Sequence, residues 1–220
     1  TLITNGVDLK NFKPINTDIK NVLRNNHNFQ KYELILINIG AVIAERKRVD
    51  LFEGLIEILG KNYFKKKIRF IFAGNYDRTN KHREVYDKIL SVGENYSNIS
   101  INFLGHVSDV NTFIKLSDIG IFMSEREGLP NAVIECMACG VPVVHNRING
   151  ITDFIIEHNV DSFIANNNDL QTYADKIISL IKNKELYNTV SLNARNKIIS
   201  KFNAKNIFKK YKELYEGLFR

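Results

Sequence analysis

The chain contains only two cysteines, Cys136 and Cys139, among 220 residues, which excludes a disulfide framework as the source of its stability. Their C-x-x-C spacing invites redox or zinc chemistry. No second ligand pair exists, so both read as small residues packed along a helix. No apolar run approaches the roughly 18 residues of a membrane-spanning helix, and no signal-peptide pattern opens the sequence. The expected location is therefore cytoplasmic. A net charge of +7 would suit nucleic acid, anionic lipid or an anionic substrate. A nucleic-acid module would show a known motif or base-stacking aromatics on one basic face. Neither is present, and no nucleic-acid partner is expected.

With 44% hydrophobic residues, the chain can bury a sizeable core as one domain. Apolar runs at 34–39, 68–73, 99–103, 119–123, 141–144 and 162–165 read as strands. Helical patterns near 49–60, 80–91, 109–116, 131–139 and 169–183 lie between or after them. Strand, helix, strand at this spacing predicts an α/β fold, a doubly wound Rossmann-like parallel sheet of about six strands. Beyond residue 185 the pattern is helical only, at 186–200 and 204–218. Lys65, Lys66 and Lys67 precede a strand and read as a solvated loop. In the last helix Phe208, Tyr211, Tyr215 and Leu218 form an apolar stripe beside Lys205, Lys209, Lys210 and Lys212. That stripe needs a covering surface: this domain's own sheet, another domain, or an anionic membrane.

The segment Glu127-Gly128-Leu129-Pro130-Asn131-Ala132-Val133-Ile134-Glu135 carries the most chemistry. It follows the buried run 119–123, so Glu127 stands at the carboxyl end of a strand, where open α/β sheets bind ligands. Gly128 allows close backbone approach, Pro130 suits the first turn of a helix, and the amides that open this helix suit a phosphate. Glu135, further into the helix, and Glu127, on the loop, are then placed to accept hydrogen bonds from hydroxyls on either side of that phosphate. A second element follows the first strand. Gly40 ends it, and Arg46 and Lys47 stand at the expected start of the next helix, able to neutralise a diphosphate. As isolated residues all of these would read as solvated loop and helix charges.

They are not isolated. Glu127 to Glu135, continued by Cys136-Met137-Ala138-Cys139-Gly140-Val141-Pro142-Val143-Val144, resembles the E-x7-E signature of retaining GT-B glycosyltransferases of family 4. Thr4-Asn5-Gly6-Val7-Asp8 with Phe12 and Pro14 looks like the segment that leads into the family's donor-binding half. Phe103-Leu104-Gly105-His106-Val107 and Leu116-Ser117-Asp118-Ile119 are similar to two further family segments, and Lys47-Arg48-Val49-Asp50 matches a fourth. Two departures stand out. Ala41 occupies a position where the family often places arginine, leaving Arg46 as the substitute cation, and Asp153 replaces the glutamate of GGxxE in Asn149-Gly150-Ile151-Thr152-Asp153.

The resemblance implies one half of a GT-B enzyme that binds a nucleoside diphosphate sugar, UDP favoured over GDP. Ribose is expected at Glu135, phosphates at Lys47 and the amides around Leu129 to Asn131, the base near His106 and Val107, and the sugar at Glu127, with Gly40 letting backbone come close to the donor and with retention of configuration. The expected reaction transfers a hexose-type sugar to a glycan, lipid or protein, in surface polysaccharide or glycoconjugate synthesis. No Asp-x-Asp pair occurs in the sequence, so no metal or other cofactor is expected. Residues 1–32 read as an interdomain segment, 33–185 as the donor-binding domain, and 186–220 as helices of which the last crosses to an acceptor-binding N-terminal half. That half is expected outside this chain, through excision or a natural split. Peripheral contact with the inner membrane face is a further expectation. A non-catalytic module for nucleotide sugar or an anionic partner is the alternative. His145 reads as a satisfied strand-end residue, with a donor contact as its other reading.

Overall fold

A computed structural model describes residues 3–42, 44–63, 65–75 and 80–218. Ile43, within the loop after the first strand, and the terminal Thr1 lie outside the described residues. Six strands form one sheet: β1 (Leu34–Ile39), β2 (Ile68–Ala73), β3 (Ile99–Gly105), β4 (Ile119–Phe122), β5 (Val143–Asn146) and β6 (Phe163–Ala165). Their order is β3-β2-β1-β4-β5-β6, and every neighbouring pair is parallel. The order therefore reverses between β1 and β4, creating a crevice at the carboxyl ends of those two strands.

The helices are α1 (Thr17–Asn26), α2 (Ala44–Lys47), α3 (Phe52–Asn62), α4 (Asn80–Glu94), α5 (Val110–Leu116), α6 (Asn131–Ala138), α7 (Thr152–Ile155), α8 (Leu170–Lys182), α9 (Lys184–Lys201) and α10 (Ala204–Leu218). Side-chain alternation along β1 explains how they divide. Leu34 and Leu36 join a core with Phe52, Leu55 and Leu59 of α3, Ile89 of α4 and Tyr173 and Ile177 of α8. Ile35 and Ile37 join the opposite core with Ile114 of α5, Val133 and Met137 of α6 and Ile198 of α9. Both faces of the sheet are thus covered, which is why β1 reads as a continuous apolar run. Phe52 meets Phe72 edge-on at 4.9 Å, and Phe72 stacks on Phe103 at 4.6 Å. Burying each such ring contributes about 2–3 kcal/mol.

Short polar side chains set several helix starts by accepting the first free amides. Asn16 accepts from Ile19 N, Asp109 from Thr112 N, Asp169 from Thr172 N and Asn183 from Leu186 N. At the amino-terminal edge of the sheet, Asp118 accepts from Arg24 and Lys20 of α1 at 2.7 and 2.8 Å and from Ile35 N at 2.8 Å. This cluster fastens α1, within the segment read as interdomain, to the sheet.

The structure corrects some expected boundaries. The helix expected over 49–60 splits into a 3-10 turn at Val49–Leu51 and α3, with the extra helix α2 before it. Arg48, between α2 and that turn, has φ 49°, a left-handed conformation that ends α2. Pro142 lies ahead of β5, and the strand forms at Val143–Asn146 instead of 141–144. His145 is therefore inside the strand.

Candidate functional site

The crevice between β1 and β4 brings the two charged elements together. Lys47 Nζ, at the end of α2, pairs with Glu127 Oε1 on the loop after β4. Burial alone would raise the Glu127 carboxyl, but hydrogen bonds from Lys47 and Ser124, with the charges of Lys47 and Arg46, hold it below the ordinary glutamate value. Glu127 is therefore an anion at neutral pH, and so acts as a hydrogen-bond acceptor instead of a proton donor. Arg46 is exposed, and its carbonyl accepts from Glu125 N at 3.1 Å. Arg48 pairs with Glu125 and with Asp50. These contacts tie the loop after β1 to the loop after β4. The expected placement of Arg46 and Lys47 at a helix start is corrected: they occupy the end of α2, because the left-handed Arg48 stops it.

Gly40 sits against Lys47, where an added Cβ would lie 3.3 Å from Lys47 Cε, and its φ is 141°. Gly74 approaches still closer, since a Cβ there would lie 2.0 Å from Gly40 O. Gly40 N donates to Ala73 O, Val42 N to Asn75 O and Gly74 N to Gly105 O, at 2.8–2.9 Å. The loops after β1, β2 and β3 thereby surround a cleft of about 290 Å³ lined by Gly40, Ala41, Gly74, His106, Val107 and Val110. His106 and Val107 thus share one wall with Gly40.

The loop into α6 places the remaining residues. Gly128 is exposed and a Cβ there would meet nothing, so no contact within the chain requires glycine at this position. Pro130 is buried and precedes the first helical residue instead of lying within the first turn. Its fixed φ directs the chain into a helix. Leu129 packs on the core below, and Asn131 is exposed. Glu135 lies one turn on, half-buried, its carboxyl pushed up by burial. It makes no hydrogen bond or ion pair to a described residue. A cavity of about 200 Å³ beside it is lined by Asn5, Asp8, Phe12, Asn131 and Ile134. Glu135 lines this cavity, whereas Glu127 is engaged with Lys47 on the loop before α6.

Some contributors were not singled out from sequence. Ser124, Arg48 and Glu125 form the immediate support of Lys47 and Glu127. Arg48 belongs to the Lys47–Asp50 match, but nothing in its residue type announces a left-handed backbone. His145 is 1% exposed, and burial pushes its pKa down to about 4. Its Nδ1 donates to Asn146 O at 2.6 Å, and its buried Nε2 has no partner among the described residues. Asp153 pairs with Arg147 in the first turn of α7, and Cys136 and Cys139 are buried free thiols in and just after α6. Burial pushes both thiols up, Cys139 to about 12, which leaves them unreactive.

The reversal of strand order, the glycine-lined cleft and the cation–carboxylate pair at one end of the sheet define a Rossmann-like ligand-binding domain of the GT-B type. The chain belongs to the glycosyl transferases group 1 family, whose sequence profile matches residues 33–183. It is 26% identical over 217 residues to the Escherichia coli UDP-Gal:α-D-GlcNAc-diphosphoundecaprenol α-1,3-galactosyltransferase, covering 98% of this chain and 53% of the relative. It is 23% identical to the Staphylococcus aureus capsular polysaccharide biosynthesis glycosyltransferase CapM over 99% of this chain and 54% of that protein. Among solved structures, Anabaena HepE in complex with UDP and glucose superposes with a TM-score of 0.83 at 20% identity, covering 99% of this chain and 57% of that one. The chain spans about half the length of the curated relatives it matches.

Proposed function

We propose that this chain is the C-terminal, nucleotide-sugar-binding half of a retaining family 4 glycosyltransferase that transfers a hexose-type sugar from a UDP-sugar to a glycan, lipid or protein acceptor. The observation that carries the reading is the Lys47–Glu127 pair at the point where the strand order reverses, facing the loop that opens α6. The matched E. coli relative is named for a UDP-Gal donor, and HepE was solved with UDP. Both favour uridine here.

In this reading the base occupies the cleft beside Gly40, His106 and Val107, and the ribose hydroxyls donate to Glu135. The diphosphate lies between Lys47, Arg46 and the backbone N–H groups of Leu129 and Asn131, which supply fixed positive charge to the leaving group. Glu127 accepts hydrogen bonds from the sugar and supports the positive charge that develops at its anomeric carbon as the bond to the diphosphate breaks. As Lys47 turns to the diphosphate, Glu127 exchanges one partner for sugar hydroxyls. The absence of Asp-x-Asp from the sequence and the cationic crevice support transfer without a metal. Residues 1–32 and 186–220 flank the donor domain in this arrangement. The acceptor is presented by a second half outside the chain, and the exposed face of α10 is the surface offered to that half or to the cytoplasmic face of an anionic membrane.

Calorimetric titration of UDP- and GDP-sugars tests the reading. UDP-sugars are expected to bind, and Glu135→Ala to weaken them by roughly tenfold, the loss of one or two charge-assisted hydrogen bonds. Equal binding by wild type and variant, or none by either, would favour the non-catalytic alternative.

A further inference from the structure

β4 leads into the loop that carries Glu127, and its ladders to both neighbours stop short of that loop. Towards β1 the registered pairs are Leu36 with Ile119 and Ile37 with Gly120. Towards β5 the last pair is Phe122 with His145. In each neighbour the residue immediately after the last pair is an asparagine, Asn38 in β1 and Asn146 in β5. Both are buried. Asn38 Nδ2 donates to Ile121 O at 2.8 Å, and Asn146 Nδ2 donates to Ser124 O at 3.0 Å. Side-chain amides thus continue, on both sides of β4, a pairing that the backbone has given up. Asparagine is depleted in strands, and a buried amide is costly unless bonded, so two of them at matching places point to a task at the end of this strand.

The task follows from the next residues along the chain. Ser124 is buried, and its hydroxyl donates to the Glu127 carboxylate. Asn146 therefore grips the backbone of the residue whose side chain holds that carboxylate. Asn146 is itself fixed, because its carbonyl accepts from Thr152 Oγ1 at 2.9 Å and from His145 Nδ1 at 2.6 Å. Thr152 and His145 are buried as well, and hydrogen bonds in such surroundings are stronger than in water. Asn38 stands two residues before Gly40, against which Lys47 lies. One amide ties the end of β4 to β5, and the other ties it to the strand that leads to Lys47.

We infer that Asn38 and Asn146 are positioning residues that hold the carboxyl end of β4 from both sides and, through Ser124, aim the Glu127 carboxylate into the crevice. That the aimed carboxylate meets the transferred sugar rests on the proposed function. The aiming itself does not.

The test follows the Glu127 carboxyl carbon by NMR against pH in the 220-residue chain, with Glu127→Gln to assign the signal. Wild type should titrate below the ordinary glutamate range. Asn146→Ala should move the titration up by roughly half a pH unit or more, since a hydrogen bond to the charged form is lost. Asn146→Ser, a milder change in the same direction, serves if the alanine variant does not fold. Asn38→Ala should shift the titration upward too. Adding Asn146→Ala to Ser124→Ala should cause no further shift, because both act through one hydroxyl. Reduced unfolding free energy with Glu127 titrating as in wild type would overturn the inference, for the asparagines would then serve only the carbonyls they bond. Additive shifts in the double variant would overturn the route through Ser124. UDP titration of the same variants tests the proposed function separately: UDP lacks the sugar, and should bind them within about threefold of wild type. Failure of every chain, wild type included, to bind UDP would remove the sugar contact and leave the aiming to be decided by the carboxyl titration.

Discussion

At the scale of single residues, the site separates a carboxylate that stays charged from a histidine that stays neutral. Glu127 has Lys47 and Ser124 as partners and is held below its ordinary pKa despite burial. Replacing it by glutamine keeps the shape but removes the charge that, in the proposed function, supports the anomeric centre. Glu127→Gln should lower transfer more than about 100-fold, the scale of losing a preorganised electrostatic contact, while changing UDP affinity less than about threefold. Assay of transfer with the acceptor-binding half supplied, beside UDP titration, separates the two effects. His145 makes the opposite case. Its pKa falls to about 4 in the fold, whereas the unfolded chain titrates near 6.5. As pH drops through that interval the unfolded state binds the proton first, so His145 costs no stability above about pH 6.5 and an increasing amount down to about 4. The full effect is on the order of 3 kcal/mol. His145→Gln, which cannot titrate, should flatten the dependence of urea-unfolding free energy on pH between those values. An unaltered slope would show that its protonation is not coupled to folding.

At the scale of elements, what was legible in the sequence was periodicity and what was not was backbone geometry. The runs from Leu34 to Ile39 and Ile68 to Ala73 announce buried strands because both their faces are covered, and the six strands follow from such runs. Glu127 was legible at a strand's carboxyl end and Lys47 at the start of the helix after another strand, but their pairing with each other was not. The separate helix α2 was not legible either, because its end depends on the left-handed Arg48, and arginine has no preference for that region. Asn5 was visible only as part of a resemblance, since its contact with Asn131 spans the chain. Gly74 was not singled out from sequence, yet it permits a very close backbone approach in the cleft. Because a Cβ at Gly74 would strike the Gly40 carbonyl, the clash cannot be relieved by a rotamer change. Gly74→Ala should therefore destabilise the fold by roughly 2–4 kcal/mol and weaken UDP binding by separating the loops after β1 and β2. A variant with wild-type unfolding free energy would show that these loops move apart freely.

At the scale of the whole molecule, α10 is a helix whose apolar stripe the domain does not use. Of its residues only Ile207 is buried, while Phe208 is 71% and Leu218 70% exposed and Tyr211 and Tyr215 face solvent as well. Packing of the stripe on this domain's own sheet, one of the coverings open from sequence, is thus overturned: α9 already covers that face of the core through Ala194 and Ile198. A chain ending at Ile207 would keep the Val7–Phe202–Ala204 joint and lose, among the described residues, only exposed positions. Surface positions of this kind contribute within about 0.5 kcal/mol each, so the truncated and complete chains should unfold at the same urea concentration within error. What truncation should remove is association. If the stripe serves the acceptor-binding half, the shortened chain will fail to bind that half or to restore transfer with it, and vesicles will make no difference. If the stripe instead rests on a membrane, with Lys205, Lys209, Lys210 and Lys212 facing anionic headgroups, the complete chain will sediment with anionic vesicles and not neutral ones. Added salt will release it, because exposed charges are screened within about 8–10 Å at physiological ionic strength. A large loss of stability on truncation would overturn both, since it would mean that the stripe packs against this domain in solution.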